Sequence, residues 1–420
     1  MAEMKDSGTA WLGMIPKDWE LSKISSIYEL RTQKVSDKDY PPLSVTMNGI
    51  VPQLDSAAKT NAHDDRKLVK KGDFAINSRS DRRGSCGVSE YDGSVSLINT
   101  VMKPRDEMNP DYYNWLFHTI QFADEFYKWG HGIVDDLWTT NWQDMKHIDI
   151  PVPTLDEQKV IADYLNKAIP EIDALHTDIE KQIETLEEYK KSIITEAVTK
   201  GLDPDVEMKD SGIELIGQIP NEWKISRLGW ISKKIGDGIH GTVTFEDGET
   251  NFYFINGNNI KKRNIAIKDN TQRITERIYN TYKTNLTTHT ILISLNGTIG
   301  NLAFYNNENV LLGKSVGFIE LKEEYNREYI YYLLQANYIK TIFELSFAGT
   351  TINNLSLQTL RKTNVLLPPK TEQKKIVKYL DKKCAEIDGA IEEKKEQLDT
   401  LEQYKKSVIY EYVTGKKEVQ

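Results

Sequence analysis

One stretch of this chain occurs twice, and both copies read as long amphipathic helices. The first runs from Glu157-Gln158-Lys159 through Tyr164-Leu165 and Glu171-Ile172-Asp173 to Thr185-Leu186-Glu187 and Tyr189-Lys190-Lys191-Ser192. The second runs from Glu372-Gln373-Lys374 through Tyr379-Leu380 and Glu386-Ile387-Asp388 to Thr400-Leu401-Glu402 and Tyr404-Lys405-Lys406-Ser407. Aligned without a gap, about half of the positions are identical. Apolar residues recur at helical spacing in both, so any fold must house two long helices, one mid-chain and one terminal.

In the first copy Ile172, Leu175, Ile179, Gln182, Leu186, Tyr189 and Ile193 step by three and four, a coiled-coil seam with one polar position. The matching series is Ile387, Ala390, Lys394, Gln397, Leu401, Tyr404 and Val408, with Ile391 and Leu398 beside its interruptions. Pro170 lacks an amide donor, so a break is expected between a short helix from about Leu155 to Ala168 and a longer one from Pro170 to about Thr199. Single helices of this kind are marginal alone, and the simplest partner for one copy is the other, running antiparallel. About thirty residues at about 1.5 Å each make an arm of roughly 45 Å.

The repeat is larger than the helix. Asp6-Ser7-Gly8, Leu12-Gly13, Ile15-Pro16 and Trp19 return as Asp210-Ser211-Gly212, Ile216-Gly217, Ile219-Pro220 and Trp223. Between each opening motif and its helix lies a segment of mixed strands and helices. Strands are expected at Asp73–Ser78 and Ser94–Ile98, then at Ile291–Ser294, Leu302–Tyr305 and Val316–Ile319. Helices are expected from Pro110 to about Phe126 and from about Arg327 to Ile342, with Asn109, Tyr112 and Leu116 matching Asn326, Tyr329 and Leu333. Both segments leave through a strand punctuated by proline, Ile150–Pro153 and Leu366–Pro369. The reading is an α+β chain: two similar globular domains separated by an antiparallel coiled coil of two long helices, as a pseudo-two-fold internal repeat. Its expected parts are residues 1–153, a central spacer 154–203, residues 204–368 and a terminal spacer 369–420.

Composition narrows the class. No apolar run approaches the roughly 20 residues that span a bilayer, and the start, Met1-Ala2-Glu3-Met4-Lys5-Asp6, has no apolar signal core. Cys86 and Cys384 are the two cysteines, too far apart for a disulfide framework or a thiolate zinc cluster. A cytoplasmic protein is the economical expectation. The net charge of −9 argues mildly against nucleic acid, but a whole-chain charge hides local basic patches.

The residues Ser7-Gly8, Trp11-Leu12-Gly13, Ile15-Pro16 and Trp19 resemble the opening motif of the specificity (S) subunits of type I restriction–modification systems, the HsdS family. So do the exit strands followed by Glu157-Gln158 and Glu372-Gln373, and Gly297-Thr298-Ile299-Gly300. The resemblance covers nearly the whole chain, in order and twice. It implies two target-recognition domains, each reading one half of a bipartite, asymmetric site in double-stranded DNA. The helices would set the gap and dock two methyltransferase subunits. Those partners would carry S-adenosylmethionine, restriction subunits would complete a nuclease, and this chain would bind no cofactor or metal and hold no catalytic centre. A 45 Å arm corresponds to an upper-range gap of roughly 13 base pairs at about 3.4 Å each. The first domain departs from the family pattern: Asn77–Gly84 stands where the second has Ser294–Thr298, so matching contact residues are not expected.

Candidate contacts follow from residue chemistry. Arg79, Arg82 and Arg83 crowd a Ser- and Gly-rich loop with Ser78 and Ser80, and Arg is a reader of guanine and a phosphate ligand. The plain alternative is a solvated loop whose arginines pair with Asp81. Asn258, Asn259, Lys261, Lys262 and Arg263 form a polar, basic run that suits adenine edges and phosphates, or an ordinary exposed turn. His240 lies in a glycine-rich loop, where a surface role competes with the family's His-bearing loop, and Asn296 stands in the second domain's counterpart of the arginine loop. Thr139, Thr140 and Asn141, with Thr351 and Asn353, precede the exit strands and are contacts or helix caps. Trp138 and Trp142 suit a core better than base stacking.

Enzyme signals are weak. Gly236-x-Gly238-x-x-Gly241 matches a dinucleotide fingerprint in letters, but Thr242-Val243-Thr244-Phe245 favours strand, so no helix start awaits a phosphate. Asn109-Pro110-Asp111-Tyr112 resembles an amino-methyltransferase tetrapeptide that lacks its second proline, and the repeat places it at a helix start. Two competing readings stand beside the DNA-reading one: a methyltransferase or nuclease with an unrecognised centre, and a repeat-built scaffold that binds proteins.

Overall fold

The structure is a computed structural model of the chain and describes residues 3–53, 63–79, 82–105, 108–132, 138–246, 248, 250–347 and 353–419. The chain divides into two compact units, Met1–Glu180 with Lys395–Gln420, and Lys181–Lys394. Each unit therefore holds one globular head and a portion of both long helices.

The first head opens on a hairpin pairing Met4–Asp6 with Met14–Pro16. Gly8 and Gly13 sit at φ of +73° and +63°, conformations that side chains disfavour, and the Gly8 amide donates to Asp6 Oδ1 at 2.9 Å. The turn delivers Trp11, Leu12, Ile15 and Trp19 into the core. A four-stranded antiparallel sheet follows in the order Cys86–Val88, Phe74–Asn77, Asn99–Pro104, Tyr28–Leu30. Tyr28 and Phe74 of this sheet pack with Tyr113, Phe117 and Phe122 of the helical segment that follows it. Glu20–Lys23 pairs with the exit strand Asp149–Val152.

The second head repeats the plan. Its hairpin pairs Met208–Asp210 with Gln218–Pro220, with Gly212 and Gly217 again at positive φ. Its main sheet has the same order, Leu302–Phe304, Thr290–Ser294, Val316–Leu321, Ser232–Asp237. Lys224–Arg227 pairs with the exit strand Asn364–Leu367. The three strands expected in this head are all present.

Three local expectations change. The helix read over 110–126 is two, Pro110–Phe117 and Ile120–Lys128, because the Thr119 hydroxyl accepts from the Phe122 amide and starts a new helix. Its counterpart is likewise Arg327–Leu333 and Asn337–Phe347. The strand read over 94–98 is the end of Gly93–Val95 and a turn in which the Asn99 amide donates to Ser96 O at 3.0 Å.

The central helix runs unbroken from Leu155 to Lys200 with Pro170 inside it, so the expected break is absent. Proline costs one hydrogen bond there. Leu165, Ile169 and Ile172, all buried in the first head's core, hold the helix on both sides of it. The terminal helix runs from Lys370 to Val413.

The two helices pack on each other in each unit. In the first, the Tyr164 ring lies 4.3 Å from that of Tyr412, and Lys405 Nζ meets Asp173 Oδ1. One partner's number falls as the other's rises, so the helices run antiparallel. In the second unit Lys190 Nζ meets Asp388 Oδ2. Asp173 and Asp388 occupy one position of the repeat, and Lys190 and Lys405 another, so the same ion pair is made in each unit.

The seam is corrected by one residue at alternate steps. The inward positions are Ile172, His176, Ile179, Ile183, Leu186, Lys190 and Ile193, and Ile387, Ile391, Lys394, Leu398, Leu401, Lys405 and Val408. Leu175, Tyr189 and Tyr404, read as seam residues, are 55%, 55% and 52% exposed. Lys190 and Lys405 displace the neighbouring tyrosines because a lysine stem packs well when its ammonium reaches a carboxylate.

Candidate functional site

The joint between head and helix is built the same way twice. Trp19 Nε1 donates to Glu157 Oε1 at 3.1 Å, and Trp223 Nε1 donates to Glu372 Oε2 at 3.0 Å. Gln158 Nε2 donates to Pro153 O at 2.8 Å, and Gln373 Nε2 to Pro368 O at 2.9 Å. These are the residues of the repeated opening motif and of the repeated Glu-Gln, so the doubled signature encodes the joint. The glutamates differ in one respect. Burial raises the Glu157 pKa, but the Thr154 hydroxyl and amide and the Trp19 indole more than reverse it, leaving it lowered. Glu372 is raised, mainly by burial. Pro369 stands where the first copy has Thr154 and has neither donor.

The helix ends also enter the heads. Tyr112 Oη donates to Val413 O at 2.7 Å and Tyr410 Oη to Trp11 O at 2.7 Å, both within the first unit. Ile193, Ile194, Ala197 and Val198 of the central helix join Ile219 and Trp223 in the second unit's core.

On the heads, the strand Phe74–Asn77 continues into Ser78 and Arg79. The Thr140 amide donates to Ser78 O at 2.9 Å, Arg79 pairs antiparallel with Thr139, and Asn141 caps the helix Trp142–Met145. In the second head, Thr290–Ser294 continues into Leu295 and Asn296. The Leu355 amide donates to Leu295 O at 2.8 Å, Asn296 pairs antiparallel with Asn354, and Ser356 caps the helix Leu357–Lys362. The two arrangements make the same backbone bonds at corresponding residues, although their sequences are unlike. Arg79 answers to Asn296, Thr139 to Asn354 and Asn141 to Ser356.

The remaining candidates sort by place. Ser78 is buried with its hydroxyl 3.1 Å from that of Thr100, and Thr140 is buried with its hydroxyl on Phe126 O. Both support the backbone. Arg79 and Arg82 are exposed. Arg83 pairs with Asp124 and lies over the Tyr127 ring, 4.5 Å from its centre. Trp138 stacks on Tyr127 and donates to its carbonyl, a packing role. Ser80 and Thr351 lie outside the described residues.

In the second head two groups form. His240, hydrogen-bonded to Asp237 at 2.8 Å, shares a cleft of about 370 Å³ with Asn296, Lys314, Asn354 and Ser356. Lys262, Arg263 and Asn353 line a cleft of about 740 Å³ against the helices of that unit. Arg263 is held at φ +74°. Its guanidinium meets Asp381 Oδ1 at 2.7 Å and lies 5.2 to 5.4 Å from the rings of Phe304, Tyr331 and Tyr332. Burial is the largest single influence and works against its charge, but Asp381 together with Tyr332 and Tyr331 outweighs it, so the pKa is raised. Asn259 spends its side chain on the Asn256 amide and Ala266 O, while Asn258 and Lys261 are exposed. Lys314, Asn354 and Ser356 were not singled out from sequence. The cap signal at Ser356 was available, but the Asn296–Asn354 pairing joins residues far apart in the chain.

Two heads of one topology, each bolted to paired helices and each presenting a matched polar edge, define a duplicated recognition protein. Residues 16–185 and 220–403 match the type I restriction modification DNA specificity domain, and the chain belongs to that family. It is similar to the proposed type I restriction enzyme MjaX specificity subunit of Methanocaldococcus jannaschii, 26% identical over 445 residues, spanning 96% of this chain and 95% of that one. The MjaVIII specificity subunit of the same organism is 25% identical over 426 residues, spanning 96% and 93%. In fold the chain is similar to one from a structural study of complex assembly and conformational transition of the type I R-M system, with a TM-score of 0.70, 14% identity and 96% and 99% coverage. The HsdS subunit from Thermoanaerobacter tengcongensis gives 0.51 at 16% identity, with 96% and 98% coverage.

Proposed function

We propose that this chain confers sequence specificity on a type I restriction–modification complex, each head reading one half of a bipartite, asymmetric site in double-stranded DNA. The observation that carries this is the duplication of the reading edge and of the joint behind it. One polar pair, Arg79–Thr139 or Asn296–Asn354, stands at the same place on both heads. One Trp–Glu, Gln–Pro joint ties each head to the helices. The helices set the gap and dock two methyltransferase subunits, which bring S-adenosylmethionine, and restriction subunits complete the nuclease. The chain contributes no catalytic centre. Family membership favours this over a methyltransferase, nuclease or protein scaffold.

The test is genome-wide mapping of methylated bases in cells carrying the chain with its methyltransferase partner. Exchanging residues 17–153 for another reader should change one half of the methylated site and leave the other. A change in both halves, or methylation or cleavage by the purified chain alone with cofactor supplied, overturns the reading.

A further inference from the structure

The residue pair at the matched edge of the two heads differs in chemistry, and we propose that it is a base-reading position: Arg79 with Thr139 takes a guanine in one half-site, and Asn296 with Asn354 takes an adenine in the other. This rests on the reading of each head as a duplex reader and adds which base each position selects.

The backbone at this position is fixed from two sides. Ser78 and Leu295, the residues just before it, are buried, and each is tied to both neighbouring segments. The Ser78 amide donates to Ile98 O at 3.4 Å and the Leu295 amide to Ser315 O at 2.9 Å, while their carbonyls accept from Thr140 and Leu355. Arg79 and Asn354 are exposed and Asn296 half-exposed, so polar side chains leave a rigid edge toward solvent. Helix capping does not require them, because Asn141 and Ser356 do that work two residues beyond Thr139 and Asn354.

The chemistry then divides the heads. A guanidinium presents two parallel donors to guanine O6 and N7, and a carboxamide presents one donor and one acceptor to adenine N7 and N6. Arginine and asparagine can both contact phosphate, but only a base edge in the major groove distinguishes their two bidentate patterns. The second head has neutral amides at the pair and carries its charge alongside. Lys314 lines the same cleft, is exposed, and has no ion-pair partner among the described residues. It is placed for a phosphate while the amides face a base edge.

The test uses the full chain in complex with its methyltransferase partner, selecting bound duplexes from a randomised pool at fixed salt and sequencing them. The native complex should yield a two-part site with a guanine column in one half and an adenine column in the other. Arg79→Asn should lower the guanine preference about ten- to a hundredfold in that column and leave the other half-site intact. Asn296→Arg should replace the adenine column with guanine. Arg79→Lys, which keeps the charge, should weaken the guanine preference without changing the salt dependence of binding. Variants that leave every column as it was, or that weaken all sequences uniformly with a shallower salt slope, would overturn the assignment. If the native complex selects no two-part site, the proposed function itself fails. A two-part site indifferent to these variants removes the base-reading position alone.

Discussion

Damage to the last helical turn of the chain should unfold its first head. Val408, Tyr412 and Val413 are 2%, 5% and 0% exposed, and they belong to the core that contains Trp11, Tyr112 and Phe122. Truncating a buried aromatic to alanine costs about 3–5 kcal/mol, so Tyr412→Ala, which also loses the contact with Tyr164, falls in that range. Val413→Ala removes the equivalent of two methylenes at about 0.8 kcal/mol each, plus a cavity, or about 2 kcal/mol. Tyr112→Phe strips the buried donor from Val413 O and should cost about 1–3 kcal/mol. Domains are stable by only about 5–15 kcal/mol, so Tyr412→Ala uses up a large share of the first unit's stability. Hydrogen exchange read by mass spectrometry reports the units separately through their peptides. Peptides from residues 4–23, 110–128 and 155–172 should lose protection together in Tyr412→Ala, and those from 253–347 should keep theirs. Loss confined to residues 400–419 would mean that the turn merely frays, and loss in the second head would mean that the division into units is wrong.

Ile391→Ala should cost about 2–5 kcal/mol in urea unfolding and Tyr404→Ala no more than about 0.5, because Ile391 is buried at 5% exposure and Tyr404 is not; the reverse order would restore the original seam. The two joint glutamates should respond oppositely to acid. The lowered Glu157 binds fewer protons folded than unfolded, so its stabilisation is complete above its ordinary value of 4.5 and is lost as pH falls through the folded value. The raised Glu372 holds its proton longer when folded, so its contribution is greatest below 4.5 and declines as pH rises through the folded value. Carbon NMR titration of labelled glutamate checks this: Thr154→Ala should move Glu157 up, Pro369→Thr should move Glu372 down, and native glutamates titrating together would refute it. Arg263→Ala should lower the second unit's thermal stability while leaving the salt dependence of DNA binding unchanged, since its guanidinium is already spent on Asp381 and three rings; a shallower salt slope would return it to the DNA contacts.

The architecture was legible because duplication writes each constraint twice. Trp19 and Trp223 could be paired by spacing alone, and the joint they make with Glu157 and Glu372 explains why both motifs persist. What misled was apolarity. Tyr189 and Tyr404 look like seam residues beside Lys190 and Lys405, and only the partners Asp388 and Asp173, distant in the chain, bring the lysines inward. Pro170 misled by local chemistry. The rule that proline breaks a helix weighs one lost hydrogen bond, whereas Leu165, Ile169 and Ile172 anchor the helix by burial that no local rule counts. Thr119 failed in the opposite sense, since its cap divides a helix whose apolar pattern continues across it.

The matched edge of the two heads was half legible, for a physical reason. Arg79, Thr139 and Asn296 stood out by residue type, but Asn77–Gly84 and Ser294–Thr298 show no usable alignment, and a match between them was not expected. The match lies in the backbone, where the Ser78 and Leu295 carbonyls accept from the amides of Thr140 and Leu355. Backbone bonds of this kind leave the side chain beyond them unconstrained. The ladder holds the position still while the residues at it, Arg79 and Asn296, differ, which is what the proposed base-reading role would require. Arg83, exposed beside Asp124 and over the Tyr127 ring, and Arg263, half-buried between Asp381 and its aromatic rings, have partners within their own unit, so the clustering of basic residues in sequence does not by itself show which of them are engaged there.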